Sequence, residues 1–309
     1  VLNRRSFAKI IHSKGKNVMQ SLTANPILKI LVVAGVVLNV PPSFADGDAT
    51  LRGEFKRVST VSRDDGIASP GSLDLDAQGR RAMKQGDYRA AINFYTQAIT
   101  QDPQNVRAVL DRADARRICG DYLNAISDYS MLRIAPLQAD NLVNIGYCHG
   151  SLNNFRASMD DFNSSLALNN RGDTAVAAYA GRAATKRVLH DTAGALADCD
   201  AALRIDPNSS DARWQRAVTY FMSQQYQKAA DDLNVVVTNE PRYADAHLKL
   251  AQCYEKLGNK TSAIVEYRKA NYLYQQAHDS DGIEQTNAAL RVLQANAAHR
   301  AGDVEVGVN

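Results

Sequence analysis

The chain predicts an all-α fold, a solenoid of antiparallel helix pairs closed by a C-terminal capping helix. Three observations carry that reading. A small residue recurs as Ala91, Ala125, Ser158, Ala195, Ala229 and Ala263, at steps of 34, 33, 37, 34 and 34 residues. A second small residue keeps the same phase as Gly79, Ala113, Gly146, Ala183, Ala217 and Ala251. A turn position does so as Gly86, Gly120, Asn153, His190, Gln224 and Gly258. Three columns with one shared period mean six copies of one supersecondary unit, none able to bury its apolar stripe without a neighbour.

Residues 1–45 precede the array and carry six basic groups (Arg4, Arg5, Lys9, Lys14, Lys16, Lys29) and no acidic one. An apolar run, Ile27 to Val40, is interrupted by Lys29 and followed by Pro41-Pro42-Ser43-Phe44-Ala45. A basic lead, an apolar core and small residues three apart predict a secretory signal peptide cleaved after Ala45. The run is short of the roughly 20 residues a spanning helix needs. A retained membrane anchor and an organelle transit segment stay open as alternatives, as does a start at Met19. Asn3-Arg4-Arg5-Ser6-Phe7 also resembles a twin-arginine export motif, although its apolar core comes late. Residues 46–71 are polar and of mixed charge and predict a flexible linker.

Residues 72–277 hold the six units. The first reads Gly86-Asp87-Tyr88, Ala91-Ile92, Tyr95, Ala98-Ile99, Asp102-Pro103, and the second repeats it as Gly120-Asp121-Tyr122, Ala125-Ile126, Tyr129 and Pro136. The fourth closes on Asp206-Pro207, the fifth has Tyr226, Ala229-Ala230 and Pro241, and the sixth has Leu257-Gly258, Ala263-Ile264 and Tyr267. Small residues belong where two helices cross closely. A glycine, Asn or Asp makes the short turn, and proline ends the second helix. The third copy departs, with Asn153 at its turn and Asn169-Asn170 in place of a proline, followed by a three-residue excess near Asn170 to Asp173. These residues and their spacing resemble the tetratricopeptide repeat over about two thirds of the chain. The resemblance implies a right-handed superhelix whose first helices line a concave groove that takes protein or peptide partners.

Beyond the array, residues 278–300 predict a capping helix with Ile283, Leu290, Leu293 and Ala297 on one face and Asp279, Ser280 or Asp281 as its cap. Residues 301–309 read as a disordered tail. Within the array, Arg112, Arg182 and Arg216 on first helices stand 16 residues before Asp128, Asp198 and Asp232 on second helices. Each arginine is expected to bridge its aspartate across the pair. Of the four cysteines, Cys148, Cys199 and Cys253 fall at packed positions and Cys119 lies beside a turn. None has a ligand spacing, so buried reduced thiols are expected.

Net charge is +3, but without residues 1–45 the balance is 30 basic against 33 acidic groups. That mildly acidic body argues against a nucleic-acid partner. No phosphate loop, GxSxG turn, HExxH or calcium loop occurs. Cys148 and His149 are adjacent on one helix and diverge, and Asp74 and Asp76 read as helix-capping acids. The expectation is a non-catalytic protein without cofactor or metal. Mapped by the resemblance, the partner-binding groove takes Arg80, Lys84, Arg117, Val143, Tyr147, Arg187, Trp214, Val218, Phe221 and Met222. Trp214, with Phe221 and Met222 at helical spacing, is expected to form an aromatic anchor if it is accessible, or to pack against the next repeat if it is not. The lysine and asparagine pattern with which chaperone-adaptor members of the family grip a C-terminal carboxylate is absent. The chain thus reads as an exported scaffold for a protein or peptide, the alternative being a membrane-anchored oligomerisation module of an envelope assembly.

Overall fold

A computed structural model describes residues 69–132 and 138–305, with side chains described through residue 295. The expected signal peptide, nearly all of the expected linker, and Pro136 lie outside the described residues. Within them the chain forms thirteen helices and no strand. Six antiparallel pairs follow in order: α1 (Pro70–Lys84) with α2 (Tyr88–Gln101), α3 (Val106–Ile118) with α4 (Tyr122–Met131), and α5 (Gln138–Ser151) with α6 (Phe155–Leu168). Then come α7 (Gly172–Val188) with α8 (Thr192–Ile205), α9 (Ser210–Met222) with α10 (Tyr226–Asn239), and α11 (Ala244–Lys256) with α12 (Lys260–Ala277). A final helix, α13 (Ser280–Glu305), packs on α12. Each helix contacts its hairpin partner and the following helix, which is the nearest-neighbour stacking of a solenoid.

Local chemistry sets the boundaries. All six turn positions adopt left-handed backbone: Gly86, Gly120 and Gly258 without strain, and Asn153, His190 and Gln224 with it. In four of the six hairpins the side chain of the next residue caps the second helix. Asp87 accepts from the Ala90 amide at 2.9 Å, Asp191 from Gly194 at 2.9 Å and Asn259 from Ser262 at 3.1 Å. Pro103, Pro207 and Pro241 each follow the C-cap of a second helix, where the chain can no longer continue helically.

The two small columns are the crossing points. Ala91, Ala125, Ser158, Ala195, Ala229 and Ala263 are all fully enclosed. At Gly79 a Cβ would lie 2.5 Å from the Tyr95 ring, and at Gly146 one would lie 2.9 Å from Phe162. In those pairs the ring takes the space a methyl would need, so only glycine fits.

Each expected arginine–aspartate bridge forms, and as a two-pronged contact. Arg112 donates from Nε and Nη2 to Asp128 at 3.0 and 2.8 Å, Arg182 to Asp198 at 2.9 and 2.7 Å, and Arg216 to Asp232 at 2.8 and 2.8 Å. The remaining Nη1 reaches the preceding hairpin: Thr96 at 3.3 Å, Asn163 at 2.7 Å and Asp200 at 2.7 Å, respectively. One guanidinium therefore ties three helices. Each aspartate also takes a second cation from the first helix, Arg116 at 2.6 Å, Lys186 at 2.8 Å and Arg213 at 3.3 Å. The same column holds an acid in two further repeats, both served by histidine: Asp161 by His149 at 2.6 Å, and Glu266 by His247 at 2.6 Å.

Some boundaries differ from the sequence reading. Ser69, not Asp74 or Asp76, caps α1, and the helix begins at Pro70, inside the expected linker. Asp76 sits mid-helix, 1% exposed, against Arg80. Proline at the first helical position is preorganised for helix and its missing N–H costs nothing there. At the other end Asp279 caps α13, accepting from Gly282 at 3.0 Å, and the helix continues to Glu305, past the expected end at residue 300. Extending a helix by a few residues is cheap once it is nucleated. Ile283, Leu290 and Leu293 of α13 join the core of Tyr267 and Tyr274, as the apolar face predicts. Among the described residues no helix is long and apolar enough to cross a membrane.

Candidate partner-binding face

The six first helices (α1, α3, α5, α7, α9, α11) carry the candidate site, and the structure divides its expected residues into three groups. At the N-terminal end the groups stay open. Arg80 is about a third exposed and pairs with Asp76 below it, while Lys84 is exposed. Arg107 lies 3.9 Å from the buried Asp111 and 4.0 Å from Asp76, so two guanidiniums stand over two buried carboxylates. Arg117 is half-buried nearby. Burial pulls its guanidinium down, but Tyr129 and Asp114 outweigh that and hold it above the usual arginine range. The Tyr129 hydroxyl donates to Asp114 at 2.6 Å, and burial followed by Asp114 keeps the phenol well above its ordinary value.

The middle is closed. Val143 and Tyr147 pack with Phe162 and Ala178. The Tyr147 hydroxyl donates to the Ala177 carbonyl at 2.8 Å and its ring meets Phe162 edge-on at 5.2 Å. Arg187 is 7% exposed and holds Gln215 at 3.5 Å and the Met222 sulfur at 3.6 Å. These residues pack the repeats together instead of presenting themselves to a partner.

Trp214 requires a correction. It is 3% exposed, in one cluster with Ala217, Val218, Leu233 and Leu250, and 5.1 Å from the Tyr243 ring. The next hairpin encloses it, so the accessible aromatic anchor does not exist and Val218 goes with it into the core. Helical spacing places Trp214 and Phe221 on one helix but says nothing of which side the following repeat covers. Phe221 remains partly open, 5.4 Å from Tyr226, with Lys249 over its ring at 4.8 Å. Met222 is 55% exposed.

Met222 belongs to a feature that sequence reasoning missed. Near the ends of five successive first helices, Ile118 and Met222 stand two residues before the left-handed turn and Leu152, Leu189 and Leu257 one residue before it, and all five are exposed. The signal was present as an apolar residue one or two positions before the turn in repeats two to six, but exposure is not visible from periodicity alone. Each of these repeats therefore leaves one apolar side chain in water beside its turn, in one of two neighbouring positions.

Among the described residues no three His, Cys, Asp or Glu side chains cluster to hold a metal. Burial pushes the thiols of Cys148, Cys199 and Cys253 up to about 12, so they stay protonated, and the adjacent His149 is turned to Asp161. Cys119 is the exposed thiol.

Comparison with known proteins agrees with this architecture. Residues 77–139 and 223–278 match the family described as tetratricopeptide repeat. The chain is 22% identical over 206 residues to Hsp70-Hsp90 organizing protein 1 of Glycine max, covering 62% of this chain and 34% of that protein. It thus spans about a third of that relative's length. Among solved structures, the Cut9 and Hcn1 hetero-tetramer of APC/C aligns with a TM-score of 0.59 at 18% identity, over 71% of this chain and 42% of that one. PilW, titled a widely conserved type IV pilus biogenesis factor, aligns with a TM-score of 0.56 at 23% identity, over 71% of this chain and 99% of that one. At these identities the solved structures share the fold.

Proposed function

Because the chain carries tetratricopeptide repeats, we propose that it is a non-catalytic scaffold that holds a protein or peptide partner along its first-helix face. The observation that carries this reading is the row Ile118, Leu152, Leu189, Met222 and Leu257, exposed in five consecutive hairpins of a chain that encloses every alanine of its crossing column. One exposed apolar group per hairpin on a rigid frame fits a partner that is itself extended or helical. The open basic groups Arg80 and Lys84 at one end set the direction and charge preference of such a partner. Its binding cost is low because the surface is preformed. The relative named Hsp70-Hsp90 organizing protein 1 is by its name an organiser of other proteins, which fits a scaffold reading.

We further propose that the scaffold works outside the cytoplasm. The basic lead, the apolar run Ile27 to Val40 and the small residues before Asp46 support export. Two experiments test the two parts separately. A photo-crosslinking residue placed at Leu189 or Met222 should capture a partner from native extract, and one placed at Thr238 on the second-helix face should not. Equal capture at both faces removes the first-helix site. Sequencing the mature N-terminus should begin at Asp46. A mature chain that retains residues 1–45 contradicts cleavage and favours the anchored, oligomerising alternative.

A further inference from the structure

His247 is a buried ionisable group that the scaffold reading leaves unused. It is 4% exposed, on α11 of the last hairpin. Its Nδ1 lies 2.6 Å from Glu266 Oε2 and its Nε2 lies 3.1 Å from the Pro241 carbonyl oxygen. Both neighbours are acceptors. A neutral imidazole has one N–H and can satisfy only one of them, whereas the imidazolium satisfies both.

The preceding repeat shows what this position requires. One 34-residue step earlier stands Arg213, whose Nη1 donates to Asp232 at 3.3 Å and whose Nη2 donates to the Pro207 carbonyl at 2.9 Å. Asp232 and Glu266 occupy the same column, as do Pro207 and Pro241. Arginine can only donate, so the place is a two-donor site in repeat five. Histidine fills it in repeat six. We propose that His247 is a proton-loaded clamp, an imidazolium that replaces the arginine of the previous repeat and makes the α11–α12 hairpin tighter in acid and looser as the imidazole loses its proton.

The surroundings favour the charge. Glu266 faces it from α12, and Lys269 on the same helix donates to the other carboxylate oxygen at 2.8 Å. Burial pushes the Glu266 carboxyl up, but hydrogen bonds from His247 and Lys269 outweigh this and hold it below its ordinary value. Glu266 is therefore an anion at neutral and mildly acidic pH. From the Pro241 loop the facing group is a neutral carbonyl oxygen. Lys269 is half in solvent, where its repulsion of the imidazolium is screened. When the proton leaves, one contact is lost and a nitrogen lone pair faces an oxygen in a dry site, which costs more than the missing bond alone. The effect spreads to α13, because Asn271 of α12 holds Thr286 at 2.7 Å.

The test uses the full chain in two measurements. Long-range nitrogen–proton NMR at pH 6 should show both His247 nitrogens protonated; a single neutral tautomer at pH 6 overturns the proposal. Hydrogen exchange, corrected for the intrinsic pH dependence of amide chemistry, should show protection of α11 and α12 falling about tenfold as His247 deprotonates. His247→Arg should keep that protection high at every pH, and His247→Gln, with one donor group in place of two, should leave it low at every pH. A His247→Arg chain that still loosens with rising pH assigns the effect to another group and defeats the clamp.

Discussion

Asp232 is the place where the account of the array can be put most sharply to number. It is 5% exposed and accepts from Arg216 Nε and Nη2, both at 2.8 Å, and from Arg213 Nη1 at 3.3 Å. Replacing it by asparagine keeps the volume but removes the charge and turns an amide N–H₂ toward a guanidinium. Removing one partner of a fully buried pair costs about 3–5 kcal/mol. Here both arginines are 22% exposed and each keeps another acceptor, Asp200 for Arg216 and the Pro207 carbonyl for Arg213, so part of that penalty is relieved. The expected loss for Asp232→Asn is therefore about 2–3 kcal/mol. Arg216→Met should cost about 2 kcal/mol, because it leaves Asp232 with the longer contact to Arg213. The double variant should fall short of the sum by about 1–2 kcal/mol, the signature of residues that touch. Urea unfolding with the slope checked for constancy gives the energies, and hydrogen exchange localises the loss to α9 and α10. Coupling within about 0.5 kcal/mol of zero would mean the bridge is a crossing of independent charges, and the reading of Arg216 and Asp232 as a bridge would be wrong.

Other outcomes follow from the same packing. Gly79→Ala drives a methyl to within 2.5 Å of the Tyr95 ring and should destabilise the first hairpin by about 1–3 kcal/mol in denaturant titration, whereas Gly86→Ala meets open space and is penalised only through its left-handed backbone. Gln224→Gly relieves a side chain held at positive φ and should raise stability by about 1 kcal/mol, read as an upward shift of the unfolding midpoint. A thiol reagent should modify Cys119 in the folded chain within the mixing period while Cys148, Cys199 and Cys253 wait for unfolding, because burial encloses them and pushes their thiols up to about 12.

The skeleton of the fold was legible in the columns because the physics behind them is local or nearly so. A left-handed turn demands the same kind of residue every time, and all six positions marked by spacing have positive φ. A close helix crossing demands a small side chain, and Ala91 through Ala263 are buried without exception. The bridge from Arg112 to Asp128 was legible because the same two residue types recur at the same offset in three repeats. His149 with Asp161 and His247 with Glu266 escaped notice for the opposite reason. The acid stays in its column, but the donor comes from a position four residues after the arginine in one case and three before it in the other, so no single offset finds both. The choice for Trp214 between anchor and packing stayed open in the sequence because a stripe on a first helix looks alike whether a partner or the next hairpin covers it. Only the packing of Tyr243 and Leu250 against it decides. The exposed row from Ile118 to Leu257 was invisible for the same reason in reverse.

The central claim is that six hairpins stack in register with the alanine ladder. Amide hydrogen exchange followed residue by residue along the full chain tests it most directly. The account predicts slow exchange centred on Ala91, Ala125, Ser158, Ala195, Ala229 and Ala263, broken by fast-exchanging minima at the six left-handed turns from Gly86 to Gly258. Protected segments that run through those turns, or that peak out of phase with the ladder, would contradict it.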